Sequence, residues 1–377
     1  MLPASGTNMT TISESGSRPG GITGAITLGE ILQQPALWAT TLEMVRRADT
    51  SAFRSCSMAL VTGAGTSAYA AEAIARAWPG ARAIPATDLL LRSKDELVNA
   101  NPAFAHHGLL ISVARSGDSP ESVAVVEKIQ RLFAGVKHLV ITCNANGGLA
   151  KLDGVETIVL DPRTNDRSLA MTSSFTNLVL AGLAITHCNE LASVLRRVSL
   201  AAEQALPELH STARKLARSD VSRVVILASG DLRPLAIEAS LKILEMTAGT
   251  VMPMAETFLG LRHGPMSFLR PDTLVLCWMS SSPARRRYEA DLIQELRDKN
   301  LGRLVIIGKS GQTAIAPTIA VPAIAPDLPD ALRVPFEIPF GQLLAYELSL
   351  QCGLNPDNPS PNGVITRVVH GFRVHED

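Results

Sequence analysis

SMALVTGAGTSAYAAEAIARA, residues 57–77, joins a short apolar run to a glycine-rich turn and then to a helical pattern. The run is continuous rather than alternating, which predicts a strand buried on both faces in a parallel sheet. SRVVILASG (222–230) repeats the run and the turn, and Gly230 lies 165 residues after Gly65. Two further runs repeat at the same offset. GLLISVARS (108–116) resembles DTLVLCWMSS (272–281), pairing Leu109 with Leu274, and HLVITC (138–143) resembles RLVIIG (303–308), pairing Leu139 with Leu304. Helical patterns separate the runs, so each half reads as βαβαβ. The expected fold is α/β, with two doubly wound parallel-sheet domains of flavodoxin- or Rossmann-like type, derived from an internal duplication.

The rest of the chain fits this frame. Its 377 residues suffice for two domains, and 46% of them are hydrophobic. Residues 1–25 read as a disordered tail, 26–205 as the first domain with its preceding helices, and 206–377 as the second with a C-terminal wrapping tail. ITLGEILQQPALWATTLEMVRRADT (26–50) predicts two short helices divided at Pro35. LAMTSSFTNLVLAGLAITHC (169–188) predicts a buried helix, followed by an amphipathic stretch over 190–219. QLLAYELSLQCG (342–353) predicts a last helix with a glycine stop. LNPDNPSPNGVITRVVHG (354–371) is too rich in Pro, Asn and Gly for regular structure and is expected to wrap another surface.

Composition excludes several classes. Lys plus Arg and Asp plus Glu both number 35, so electrostatics draw the chain neither to nucleic acid nor to an anionic membrane. No apolar run reaches the length of a membrane span, and no secretory signal core opens the chain. The five cysteines lack metal-site spacing and read as reduced, buried thiols of a cytoplasmic protein. No cofactor motif is present: the Walker lysine and the third glycine of a dinucleotide fingerprint are both missing.

Two turns in the first half suit an anion. In GAGTSAY (63–69), Gly65, Thr66 and Ser67 stand where a helix begins. In SVARSGDSPES (112–122), Arg115, Ser116, Gly117 and Ser119 precede a helix opened by Pro120. Serines and threonines there also serve as ordinary caps, but two such turns at one sheet edge favour a phosphate. The second half supplies titratable groups. Glu238, Lys242 and Glu245 share one face of a predicted helix, opposite an apolar stripe of Ile237, Leu241, Leu244 and Ala248. A solvated ion-pair ladder is the plain reading of that face. His263 lies in a loop before Gly264 and Pro265, where a surface histidine is also ordinary.

GAGTSAY, SVARSGDSPES, SLKILEM (240–246) and RHGP (262–265), together with NPDNPSPNGVITRVVHG, resemble the sugar isomerase (SIS) domain family, and within it the bacterial amino-sugar phosphate deaminase/isomerase group. The resemblance runs over nearly the whole chain. It implies a metal- and cofactor-free enzyme that turns galactosamine 6-phosphate into tagatose 6-phosphate and ammonia. Gly65, Thr66, Ser67, Ser116, Gly117 and Ser119 would bind the phosphate, with Arg115 beside them. Glu245 would carry the proton between C1 and C2, with Lys242 next to it. His263 would open the sugar ring, delivered by the second subunit of a homodimer. The tail differs from that of the related synthase in carrying Arg367 and His370 but no lysine. Simple ketose/aldose isomerisation, a glucosamine substrate, and a non-catalytic phosphosugar-binding regulator stay open on the sequence.

Overall fold

The computed structural model describes residues 23–54, 56, 58–100, 102–217, 220–309, 319–360, 362–368 and 373–375. Two helices lead in, α1 (Ala25–Leu32) and α2 (Gln34–Arg47), with Pro35 in the first turn of α2 as its fixed φ favours. After the short α3 (Ser51–Arg54), the first half runs β1 (Ala59–Thr62), α4 (Thr66–Ala77), β2 (Ala81–Ala83), α5 (Ala86–Leu91), α6 (Lys94–Ala100), α7 (Pro102–His107), β3 (Leu109–Ala114), α8 (Pro120–Leu132), β4 (Lys137–Thr142) and β5 (Glu156–Val159). Helix α9 (Ser173–Ala217) leads into β6 (Arg223–Leu227), α10 (Arg233–Met246), β7 (Met252–Glu256), β8 (Leu274–Trp278), α11 (Pro283–Asp298), β9 (Arg303–Gly308), β10 (Ile319–Pro322) and α12 (Asp330–Gln351).

The five strands of each half form a fully parallel sheet. The orders are β2-β1-β3-β4-β5 and β7-β6-β8-β9-β10, so the two halves share one winding. Register repeats with it: Ala59 pairs with Leu109, and Val224 pairs with Leu274. The third sequence match slides by one, because Lys137 and Arg303 occupy equivalent places opposite Leu109 and Leu274. Both strands are apolar through their centres, so sequence pattern alone carries no parity signal there.

One hydrophobic cluster fills the space between the sheets. It takes Val61, Ile111 and Leu139 from the first sheet, Val224, Leu276 and Val305 from the second, and the buried sides of α2, α4, α9, α10 and α12. Smaller clusters lie under α8 and under α11. Helix α9 is long and apolar enough to cross a membrane by length and composition. Its residues Ser173–Ile185 are buried within the protein. A single non-helical residue, His187, kinks it, so the two expected stretches form one element that runs through residue 206.

Three expectations change. Helix α12 begins twelve residues before Gln342 and runs through Pro335 and Pro339. Its burial from Leu332 to Ser349 supplies packing that offsets the two missing backbone bonds. On α10, burial is the reverse of the predicted one: Glu238 and Lys242 are fully buried, whereas Leu244 of the apolar stripe is 47% exposed. Among the cysteines, Cys143 and Cys277 are buried, but Cys56, Cys188 and Cys352 are half-buried. Of the expected N-terminal tail, residues 1–22 lie outside the described residues, and Ala25 already belongs to α1. The C-terminal segment does wrap: Asp357 accepts from the Thr27 amide (2.8 Å) and hydroxyl (2.9 Å) at the start of α1. His370 lies outside the described residues.

Candidate active site

The order of the first sheet reverses between β1 and β3, the place where doubly wound folds open a crevice at the carboxyl ends of their strands. Both predicted turns stand there. The β1 turn passes so close to α4 that a Cβ on Gly63 would lie 2.6 Å from the Ser67 carbonyl group. Gly65 then takes φ 57°, a left-handed value suited to glycine, and α4 begins at Thr66 without a side-chain cap. Helix α8 likewise begins at Pro120, and its N-cap Ser119 makes no side-chain capping bond. Ser67 and Ala68 N–H turn back to the carbonyls of Ala64 (3.1 Å) and Gly65 (2.9 Å), Ser122 N–H turns back to that of Ser119 (3.0 Å), and Pro120 has no N–H, which leaves the amides of Thr66 and Glu121 as the donors at the two helix starts without a backbone acceptor among the described residues.

Between the turns lies a cleft of about 250 Å³. Gly65, Thr66, Ser67, Arg115, Ser116 and Ser119 line it, as the sequence predicts. Gly117 sits behind the wall, where its carbonyl accepts from Leu149 N–H at 2.9 Å. Asp118 points away from the cleft and accepts from the Gly148 amide at 2.9 Å, which fixes the turn. Arg115 is buried, and its guanidinium donates to the carbonyls of Ser168 (3.2 Å), Leu169 (3.1 Å) and Arg367 (3.4 Å). Burial lowers its pKa, against the pull of Asp166.

The carboxylate comes from the other half. Helix α10 packs on α4 and places Glu245 in the cleft wall opposite the serines. Lys242, fully buried, donates to Thr66 Oγ1 at 2.9 Å and to Glu245 Oε2 at 2.5 Å, and its Nζ lies 3.4 Å from Glu238 Oε1. One ammonium thus ties a residue of the β1 turn to both carboxylates. Burial pulls the Lys242 ammonium down, but Glu238 and Glu245 more than offset it and hold its pKa above the usual value. Burial pushes Glu238 up to about 8 against the attraction of Lys242. Neither Glu238 oxygen has a hydrogen bond of good geometry among the described residues. Tyr69, one turn into α4, is pushed up by burial and then by Glu238 and Glu245.

Two features of the site escape sequence reasoning. Ile365, Thr366 and Arg367 of the wrapping tail close one side of the cleft, and Arg367 reaches Asn165 Oδ1 at 2.5 Å. The loop beneath is braced by Asp166, which accepts from the amides of Thr172 (2.8 Å), Ser173 (3.0 Å) and Ser174 (2.9 Å), and by Glu30, which accepts from Arg167 N–H at 2.5 Å. An acidic residue ahead of the TSS run is a capping signal that could have located this brace. His263 is not brought into this cleft. It is exposed between two 3₁₀ turns that follow β7. Among the described residues no three His, Cys, Asp or Glu side chains are grouped to hold a metal ion.

No protein-family model matches the chain. The D-galactosamine-6-phosphate deaminase AgaS of Shewanella sp. strain ANA-3 is 37% identical over 375 residues, covering 93% of this chain and 91% of its own. The protein of the same name from Escherichia coli is 35% identical over 376 residues, covering 94% and 96%. Among solved structures, the tagatose-6-phosphate ketose/aldose isomerase from Escherichia coli superposes with a TM-score of 0.80 at 31% identity, over 94% of this chain and 97% of that one. The C-terminal domain of glucosamine-fructose-6-phosphate aminotransferase from Francisella tularensis shares the fold, with a TM-score of 0.71 at 16% identity, over 87% of this chain and 96% of that one.

Proposed function

The chain belongs to the D-galactosamine-6-phosphate deaminase AgaS family of SIS-domain enzymes, and from that premise we propose how its cleft converts galactosamine 6-phosphate and water into tagatose 6-phosphate and ammonia. The observation that supports the reading best is Glu245, which projects from the second half into a cleft whose floor is two hydroxyl-rich helix starts of the first. The phosphate dianion docks on Ser67, Ser116 and Ser119 and on the amides beside Gly65, where two helix dipoles favour it. Arg115 fixes the turn through three carbonyls rather than by offering its guanidinium freely.

Anchoring the phosphate sets the reach of the sugar, and its first two carbons come to Glu245. In the open-chain form Glu245 takes the proton from C2, giving a C1–C2 enolamine, and returns it to C1, giving an imine at C2. Water adds to the imine carbon, and the C–N bond breaks with loss of ammonia. Lys242 holds Glu245 in place and steadies its charge. Glu238, with Oε1 3.4 Å from Lys242 Nζ, is the second carboxyl beside the buried ammonium. General acid–base help of this kind is worth about 10²–10⁴-fold.

Ring opening is assigned to His263 of a second copy. The exposure of His263, and its absence from the walls of its own cleft, support a homodimer in which each cleft is completed by its neighbour. We place the enzyme in the cytoplasm. The likeness to a tagatose-6-phosphate ketose/aldose isomerase supports a second reading, isomerisation with nitrogen retained; assaying ammonia alongside ketose separates the two. The test of the main reading is Glu245→Gln. Turnover is expected to fall by about 10²–10⁴-fold with substrate affinity kept, and near-normal ammonia release would remove Glu245 from the role.

A further inference from the structure

The duplication carries a second copy of the β3 turn. Ser280-Ser281-Ser282 follows β8 as Arg115-Ser116-Gly117 follows β3, at the same spacing of 165 residues. No phosphate could enter it as it stands, because the chain's own Asp330 already fills it. This first residue of α12 accepts from the Ser280 hydroxyl and, at 2.7 Å, from the Ser281 amide. Two guanidinium groups complete the shell: Arg333 Nη1 at 3.0 Å and Arg285 Nη1 at 3.2 Å. A hydroxyl, an amide and two guanidinium groups converging on one carboxylate are the donors that a phosphoryl group takes.

The neighbouring turn is closed as well. The Arg285 guanidinium lies 3.0 Å from where a Cβ on Gly230 would stand, so it covers the turn that corresponds to Gly65, and it reaches Asp231 at 3.4 Å. Beside Ser280 lies a pocket of about 10 Å³, lined also by Arg286, Lys309 and Arg333. That contrasts with about 250 Å³ in the first half. Donors remain to spare. Arg333 is 1% exposed, yet its Nε and Nη2 have no hydrogen-bond partner among the described residues, Nε lying 3.5 Å from Glu337 Oε1. Asp330 itself is 3% exposed; burial pushes its carboxyl up, but the Ser280 and Ser281 bonds and Arg333 outweigh that and hold it below the usual range.

We propose that the turn after β8 is a duplicated oxyanion cradle closed by the tethered carboxylate of Asp330, so that each chain binds one phosphoryl group although it has two such turns. Removing the carboxylate should open a second site, for inorganic phosphate or a phosphate monoester. The inference rests on the first-half turns being the phosphate site, and its test separates the two claims.

Inorganic phosphate is titrated calorimetrically into the full-length protein, into Ser67→Ala/Ser119→Ala, into Asp330→Gly, and into the combined variant. The expected stoichiometries per chain are one, none, two and one. One site that survives Ser67→Ala/Ser119→Ala would defeat the first-half reading while leaving the cradle to be judged on Asp330→Gly. Two sites in the unaltered protein, or still one in folded Asp330→Gly, would overturn the cradle. Should Asp330→Gly not fold in phosphate-free buffer, its refolding yield is compared in tens of millimolar phosphate and in chloride of equal ionic strength. Recovery specific to phosphate is expected, and equal yields in the two salts would overturn the proposal.

Discussion

At the scale of single residues, Lys242 sets the character of the site. It is fully buried between Glu238 and Glu245 and bound to Thr66, so three acidic or hydroxyl groups share one ammonium. The spacing of Glu238, Lys242 and Glu245 was legible in the sequence, but their burial was not. A ladder of charges at helical spacing looks the same whether it faces water or a neighbouring helix, and only the packing of α10 on α4 decides. The decision has a pH signature. Burial pushes the Glu238 carboxyl in the folded protein up to about 8, above the ordinary carboxylate value of 4.5. The folded state therefore holds an extra proton. Stability from this group is complete below the unfolded value and is lost as pH rises through about 8. Glu238→Gln, the isostere of the neutral form, should fold normally and lack that loss. Urea denaturation at pH 6 and pH 9 checks it: equal pH sensitivity in both proteins would mean that Glu238 is ionised throughout.

At the scale of elements, strand runs and their glycine turns were readable because each carries its own chemistry: apolar continuity, a tight turn, then alanine-rich or proline-opened helix. The early part of α12 was not, since Pro335 and Pro339 argue locally against helix and only burial overrides them. The one-residue slide of the third match escaped for a related reason, as strands buried on both faces lose the alternation that marks register. The β1 turn offers the sharpest test at this scale. A methyl at Gly63 would meet the backbone of Ser67, which cannot rotate aside. Gly63→Ala should therefore push the start of α4 outward, weaken phosphosugar binding by about tenfold or more, and destabilise the protein by about 1–3 kcal/mol. Binding calorimetry and thermal melts read both effects. Unchanged affinity would show that Ser67 does not have to stand where it does.

At the scale of the whole molecule, the two sheets matter less as separate units than through the helices between them. Helices α4 and α10 come from different halves, and their contact is what carries a carboxylate to the hydroxyl-rich turns. The fold and the two hydroxyl-rich turns were visible in sequence; the tail segment 365–367 against the cleft was not, because Pro, Asn and Gly predict irregularity without a destination. His263 extends the argument to the assembly. On the proposed shared site, mixing Glu245→Gln and His263→Asn chains regenerates one intact cleft per mixed dimer, so a random mixture should regain about a quarter of normal activity. Activity no higher than that of the separate variants would place His263 outside the reaction or in its own chain's cleft.

The most direct test of Glu245 as the proton carrier is a crystal structure of Glu245→Gln with galactosamine 6-phosphate bound. The phosphate is expected on Ser67, Ser116 and Ser119, with C2 within about 3.5 Å of the side chain at 245. A phosphate bound elsewhere with those serines bare, or a sugar whose C1 and C2 lie far from residue 245, would contradict it.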